Sequence, residues 1–392
     1  MKVKILLLSI VLMFTMSSYG QSGQDGNISW SVASGTLTIS GSGVMKDYDY
    51  NDGNAAPWVA HMSFVRRIII QEGISTIGSC AFALCPSVTS VEMPNTIEGI
   101  GNSAFLGCSG LIDIEIPDNV QEIRALAFGG CRNLTNIDVP EKVTIIGEGA
   151  FSGCTGLLSI NVNANNPVFK SIDGIVFSKD GSILSVYPAG KKDKSYTVPS
   201  NVTEIGYGAF LNCGNLVKVE MSDGVQVIGR EAFLNCQSLD TVIIPASVNN
   251  IESGAFKYCD NLKVVEVKWL NPLLINSNVF PEDINAELII PDGTKDAYDA
   301  AEVWKNFRKT TEKSTVDNSI AYVSDVKALI VNGILIIDSP NSEKINIYNL
   351  AGTLVDSFVK GEGMARFSAS SLSNGIYIIR GSKGWSVKVS MF

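Results

Sequence analysis

Leu111-Ile-Asp-Ile-Glu-Ile-Pro117-Asp-Asn-Val120-Gln-Glu-Ile123-Arg-Ala-Leu-Ala127-Phe128-Gly-Gly-Cys131 is a phrase that the chain repeats. Phe82, Phe105, Phe128 and Phe151 stand 23 residues apart, and so do Phe210, Phe233 and Phe256. Each follows an Ala and precedes a Cys by three: Cys85, Cys108, Cys131, Cys154, Cys213, Cys236 and Cys259. Self-similarity at a fixed period of about 20–50 residues marks a solenoid or array.

The letters of one repeat follow from its physics. Leu111, Ile114 and Ile116 place apolar groups inward while Asp113 and Glu115 point out, the period-2 alternation of a strand. Pro117 lacks an N–H for the ladder and ends it. Val120 and Ile123 open a second, shorter side. Ala127, Phe128 and Cys131 turn inward at tight-turn spacing. One such unit cannot bury its apolar face alone, but stacked neighbours make a continuous core. Coils stack at about 4.8 Å, and nine or so are expected. The fold class is mainly β: a solenoid of about 23-residue coils.

The phrase, in register over most of residues 65–308, resembles the BspA-type leucine-rich repeats of bacterial surface proteins. The resemblance implies a leucine-rich-repeat solenoid that is secreted or surface-exposed, and a role as an adhesin or host-protein binder. The repeat physics alone implies an extended interaction surface.

Both ends depart from the repeat. Lys2 and Lys4 precede the apolar run 5–14, and small residues lead to Gly20; this reads as a secretory signal peptide over 1–20. No later stretch is long and apolar enough for a transmembrane segment. Residues 21–64 form an N-terminal β cap: Ile28, Trp30 and Val32 alternate, Ser34-Gly35 turns, and Leu37 and Ile39 return. The cap covers the open first coil, which would otherwise be a sheet edge. The alternative use for Trp30 and Trp58 is to hold a sugar.

Between Cys154 and Cys213 lie 59 residues, one period plus 36. The excess, residues 163–195, reads as an insertion hairpin with turns at Asp173-Gly174 and Asp180-Gly181. It is expected to project from one face, with a small basic patch at Lys191, Lys192 and Lys194. Repeats decay at Asn278-Val279-Phe280, which keeps the Phe and loses the Cys. Residues 296–307, carrying Tyr298, Trp304 and Phe307, are expected to form a closing helix. Residues 309–325 read as a linker.

Residues 326–392 carry evenly spaced short strands with turn dipeptides between them and are expected to form a small β-sandwich. The segments Ile345-Asn-Ile-Tyr348-Asn-Leu-Ala-Gly352 and Leu372-Ser-Asn-Gly375-Ile-Tyr377 look like the C-terminal sorting domain (secretion tail) of Bacteroidetes secreted proteins. That resemblance implies export across the outer membrane with attachment or release. The ending Val389-Ser-Met-Phe392 lacks the basic residues common there.

Composition limits the chemistry. The net charge of −9 argues against a nucleic-acid partner. A single histidine, His61, removes multi-His metal sites and His-dependent hydrolysis from the inventory. Eight cysteines in an exported chain first suggest disulfides. Equivalent cysteines on successive coils have parallel side chains with Cβ atoms about 4.8 Å apart, whereas a disulfide wants about 3.8 Å and converging vectors. The ladder cysteines are therefore expected to be free, buried thiols. No catalytic constellation stands out, no cofactor or metal site is assigned, and the protein is read as a non-enzyme.

The outward column Glu92, Glu115, Asp138, Asn161, then Glu220 and Glu266, with Asp113 beside it, gathers like charges that repel. Glu92, Asp113, Glu115 and Asp138 form the candidate partner-binding strip; calcium is a second candidate for relieving its charge. The functional expectation is a monomeric, secreted or cell-surface protein that binds an extracellular or host protein. The alternative is a carbohydrate-binding accessory protein of a glycan-degrading bacterium.

Overall fold

The computed structural model describes residues 20–49, 53–313, 327–331, 334–349, 352–368, 372, 375–383 and 386–391. The expected signal peptide lies outside them except for Gly20, as does the linker beyond Lys313. The chain forms two compact units, a solenoid and a C-terminal domain beginning around Glu312.

The solenoid has about 11 turns of about 23 residues. Each regular coil adds one strand to a long-strand side and a two-residue strand to a second side, and then a tight turn carrying Ala-Phe-x-x-Cys. On the first side Arg67–Ile70 pairs in parallel with Ser90–Glu92, and Asn136–Val139 with Ser159–Val162. Further along, Ser195–Val198, Lys218–Met221, Thr241–Ile244, Val264–Val267 and Glu287–Pro291 continue in parallel register. On the second side Gly99–Ile100, Glu122–Ile123 and Ile145–Ile146 stack likewise.

The quoted phrase itself departs from expectation. Leu111, Ile114 and Ile116 are buried while Asp113 and Glu115 are exposed, so the alternation holds. Yet residues 111–116 form no strand. Glu115 stands at the coil position of Glu92 and Asp138, and Asp113 at that of Ser90 and Asn136. Like charges directly opposite one another, as in the Glu115 column, disfavour a ladder.

The turns build an aromatic column. Phe82, Phe105, Phe128 and Phe151 stack with centroids 5.4, 5.4 and 5.7 Å apart and planes within 19° of parallel. Phe210, Phe233, Phe256 and Phe280 repeat this at 4.7, 5.0 and 5.3 Å. The N–H groups of Phe82, Phe105, Phe128, Phe210 and Phe233 donate to the Ala carbonyl of the next coil, Phe128 to Ala150 at 2.8 Å, and that of Phe256 donates to the Val279 carbonyl. Trp58 from the cap stacks on Phe82 at 5.7 Å and donates its indole N–H to the Ala81 carbonyl at 2.8 Å. The cap tryptophans are thus core residues: Trp58 is fully buried and Trp30 is 8% exposed. Neither presents the open ring face that a sugar would stack on. At the other end Phe307 meets Phe280 edge-on at 5.2 Å.

Beneath the rings runs a thiol column. The Cys131 Sγ–H donates to the Phe105 carbonyl at 3.3 Å, Cys154 to Phe128 at 3.0 Å, and Cys236 and Cys259 to Phe210 and Phe233, each at 3.0 Å. All eight cysteines are free, and only Cys80 is partly exposed. Burial pushes the Cys213 thiol well up, and the neighbouring Cys154 thiol, with burial, raises Cys131. Neutral thiols are poor nucleophiles. Thiol titration of unreduced protein should therefore give close to eight per denatured chain and at most Cys80 in the native state. Mass spectrometry showing most of them paired would refute this.

The insertion is a wall rather than a projection. Phe169–Ile172, Ile175–Ser178 and Ile183–Val186 form an antiparallel meander, and the last strand pairs in parallel with Glu204–Ile205. It includes the expected hairpin with one strand more. Val176 packs in the N-terminal core cluster, while Ile175 and Phe177 pack in the C-terminal one. Tyr187 takes the place of a ladder Phe, 4.9 Å from Phe210. Apolar faces on both sides of the wall strand drew the segment inward, which corrects the expected projecting hairpin. Lys191 is tied to the Asp173 carbonyl at 3.0 Å and to Asp193, so the basic patch is partly neutralised.

The closing segment is shorter than expected. Lys295–Ala300 is helical, Ala301 is extended, and Trp304–Asn306 is a 3₁₀ turn. Tyr298 and Trp304 are nonetheless buried, donating to the Trp269 and Leu273 carbonyls at 2.9 and 2.7 Å. Lys309–Lys313, expected as the start of a linker, is a strand beside Glu287–Pro291. Lys309 pairs there with Glu287 at 2.8 Å.

The C-terminal unit holds a three-stranded and a four-stranded antiparallel sheet. Leu335, Ile337, Ile345, Ile347, Ile379 and Val387 are among its core residues, alternating along their strands as a half-buried sheet requires.

Candidate functional site

The long-strand side carries the residues expected to bind. Glu92 ends the strand Ser90–Glu92 and accepts from Arg67 Nε at 2.8 Å, two charges on neighbouring strands. Asp138 lies on Asn136–Val139 and accepts from Asn161 Nδ2 at 2.9 Å. Asp113 and Glu115 lie between these strands on the segment without strand pairing, exposed, with no hydrogen bond or ion pair among the described residues. The four thus follow one another along successive coils. They differ in freedom: two carboxylates are engaged by neighbours and two are open.

The column does not continue unbroken beyond the insertion. In the C-terminal half Glu220 is flanked in register by Ile243, and Ile243 by Glu266. An apolar residue therefore separates the two acids, and Glu220 also pairs with Lys218 at 3.2 Å. The acidic concentration belongs to the N-terminal half.

Among the described residues no three His, Cys, Asp or Glu side chains gather in a way that could hold a metal ion. Calcium therefore has no ready cage in the acidic column, since it takes six to eight oxygens. Among the described residues no helix is long and apolar enough to cross a membrane.

Residues 61–187 and 189–301 match the BspA type leucine rich repeat region, in six copies. Residues 331–391 match the secretion system C-terminal sorting domain. No match was found among curated proteins. Among solved structures the chain is similar to a leucine-rich repeat protein from Eubacterium ventriosum, with 25% identity and a TM-score of 0.56, over 69% of this chain and 78% of that one. It is also similar to a leucine rich cell surface protein from Faecalibacterium prausnitzii, with 22% identity and a TM-score of 0.46, over 76% and 96% of the two chains. The pneumococcal vaccine antigen PcpA matches at 19% identity and a TM-score of 0.49, over 76% and 99%. The sorting domain and the repeats together make this a secreted or cell-surface protein, and the chain belongs to the BspA-type leucine-rich-repeat family.

Proposed function

We propose that this protein is a non-enzymatic binding module, displayed or released outside the cell, that captures an extracellular or host protein through the acidic strip of its N-terminal half. The observation that carries the reading is the pair Asp113 and Glu115, exposed and unengaged among the described residues, between the carboxylates of Glu92 and Asp138. Acidic residues grouped on a sheet face attract a basic surface, speed encounter and make it salt-sensitive. The adhesin role follows from this reading. The glycan-binding reading has lost its aromatic platform, because Trp30 and Trp58 are in the core.

The test is to change Glu92, Asp113, Glu115 and Asp138 to Gln or Asn together. Association with a basic protein partner, taken from a screen of host extracellular proteins, should slow by about tenfold or more at low salt. The melt should stay within about 0.5 kcal/mol of the parent per site. Unchanged affinity for every partner found would make the strip a solvated face and nothing more.

A further inference from the structure

Every regular coil spends five residues between the last Ile of its short strand and its ladder aromatic: Ile123 to Phe128, Ile146 to Phe151, Ile205 to Phe210, Ile228 to Phe233. The insertion coil spends three. Leu184 is in register with Ile205, and its ladder aromatic is Tyr187. Two residues of the turn are therefore missing. Where they would lie, a cleft of about 230 Å³ opens between the turn 147–152 and the turn 206–211.

Its walls keep the hydrogen-bonding pattern of the missing chain. In regular coils the turn N–H groups reach forward to the next turn: Leu126 to the Glu148 carbonyl at 3.0 Å, Phe128 to Ala150 at 2.8 Å, Gly130 to Ser152 at 2.7 Å. The next coil should repeat this from Gly149 and Phe151, but among the described residues neither N–H has an acceptor. On the opposite wall the Tyr207 and Leu211 carbonyls occupy the positions of Arg230 and Leu234, which accept from Gly208 and Asn212 at 3.1 and 2.9 Å. Those of Tyr207 and Leu211 accept from nothing described. Only the middle of the ladder is closed, by Tyr187 N–H on the Ala209 carbonyl at 2.7 Å.

The side chains add a sign. Glu148 and Glu204 line the cleft without a partner among the described residues, and no Lys or Arg lines it. Tyr207 also lines it and donates to Glu231 at 2.9 Å. Burial and the neighbouring Glu231 and Glu148 raise its phenol, which remains a neutral hydroxyl.

We infer that this cleft is a docking slot for a short segment of another protein's chain, a loop tip or end carrying Lys or Arg. Its backbone carbonyls accept from Gly149 and Phe151, its N–H groups donate to Tyr207 and Leu211, and its cationic side chain meets Glu148 and Glu204. Donors on one wall and acceptors on the other, offset as successive turns are, match a peptide backbone. This is backbone addition of the kind used at sheet edges, placed between two coils. The slot is separate from the acidic strip, so failure of either leaves the other standing.

The test uses the full secreted chain and capped tripeptides, followed through the amide resonances of Gly149, Phe151 and Gly208. Acetyl-Gly-Lys-Gly-amide should shift these amides saturably. Acetyl-Gly-Glu-Gly-amide should bind about tenfold more weakly or not at all. The double change Glu148→Gln, Glu204→Gln should weaken the Lys peptide about tenfold and leave the melt unchanged. Inserting Gly-Ala between Ser185 and Val186 restores the five-residue span and should abolish the shifts, because the chain then fills its own slot. The proposal is overturned if the Lys peptide leaves these amides unmoved. It is overturned equally if the Glu peptide binds as well, or if maltose moves them and the peptides do not.

Discussion

Phe128→Ala should destabilise the N-terminal half of the solenoid by about 3–5 kcal/mol. Phe128 is fully buried, with Phe105 on one face at 5.4 Å and Phe151 on the other at 5.7 Å. Truncation removes both stacking contacts and leaves a cavity between two rings whose backbones are held by the coil ladder, so neither can move in to fill it. Asp113→Ala, on the same solenoid but exposed, should stay within about 0.5 kcal/mol. Equal costs for the two in denaturant melts would show the inward and outward assignments to be wrong.

The location of the loss is equally informative. The solenoid holds two core clusters, one from Ile28 to Ile160 with Val176, the other from Ile175 and Phe177 to Phe307. Stability in a stacked array is a sum of units and nearest-neighbour interfaces. Phe128→Ala should therefore lower hydrogen-exchange protection across the N-terminal coils and leave the coils beyond Val198 near their parent values, with Phe233→Ala doing the reverse. Uniform loss of protection from either change would mean that the wall strand couples the halves into one cooperative unit.

The regular coils were legible because each states its own structure: strand alternation, Pro stop, Ala-Phe-x-x-Cys. The irregular ones were not, although the signal was partly there. Tyr187 stands 23 residues before Phe210, the ladder spacing, but a Tyr without the preceding Ala did not read as part of the column. Trp58 stands 24 before Phe82 and Phe280 24 after Phe256, each off by one because a cap or a decayed coil changes a turn length. Trp58 and Tyr187 thus mark coils beyond the nine or so expected, whereas Phe280 already read as a decayed repeat; the solenoid has about 11 turns. At the candidate strip the sequence showed which side chains face out, since that depends only on period. It did not show that 111–116 leaves the strand pairing, because alternation fixes which side chains face out, not whether the backbone pairs with the coils on either side. The seam cleft is invisible to periodicity for a related reason: it arises from a span shortened by two residues, which matters only once the neighbouring turns are stacked against it.

Asn166 tests whether the wall is anchored as its geometry indicates. It is fully buried at the start of the insertion. Its Nδ2 donates to the Pro140 and Val143 carbonyls at 3.0 and 2.8 Å, and its Oδ1 accepts from Val168 and Phe169 N–H at 2.9 and 2.8 Å. One side chain thus ties the preceding coil to the strand Phe169–Ile172. Asn166→Ala removes a partner from four backbone groups, of which the Pro140 carbonyl still accepts from Val143 N–H at 3.3 Å. Each of the others costs about 1–3 kcal/mol if it stays buried and unpaired. Even with water entering to satisfy some of them, the expected loss is about 3 kcal/mol. Asn166→Asp keeps both acceptor bonds but turns a carboxylate toward two carbonyl oxygens. Burial and that repulsion make the folded carboxyl hold its proton more tightly than the unfolded one. The variant should therefore be destabilised at neutral pH and should recover relative to the parent as pH falls, when the protonated acid can donate to one of the carbonyls. Melts of both variants across pH 4 to 8, about the carboxylate range and above, decide the matter. Asn166→Ala within about 0.5 kcal/mol of the parent, or an Asp variant whose deficit does not shrink in acid, would mean that the wall is held by its apolar faces and not by this residue.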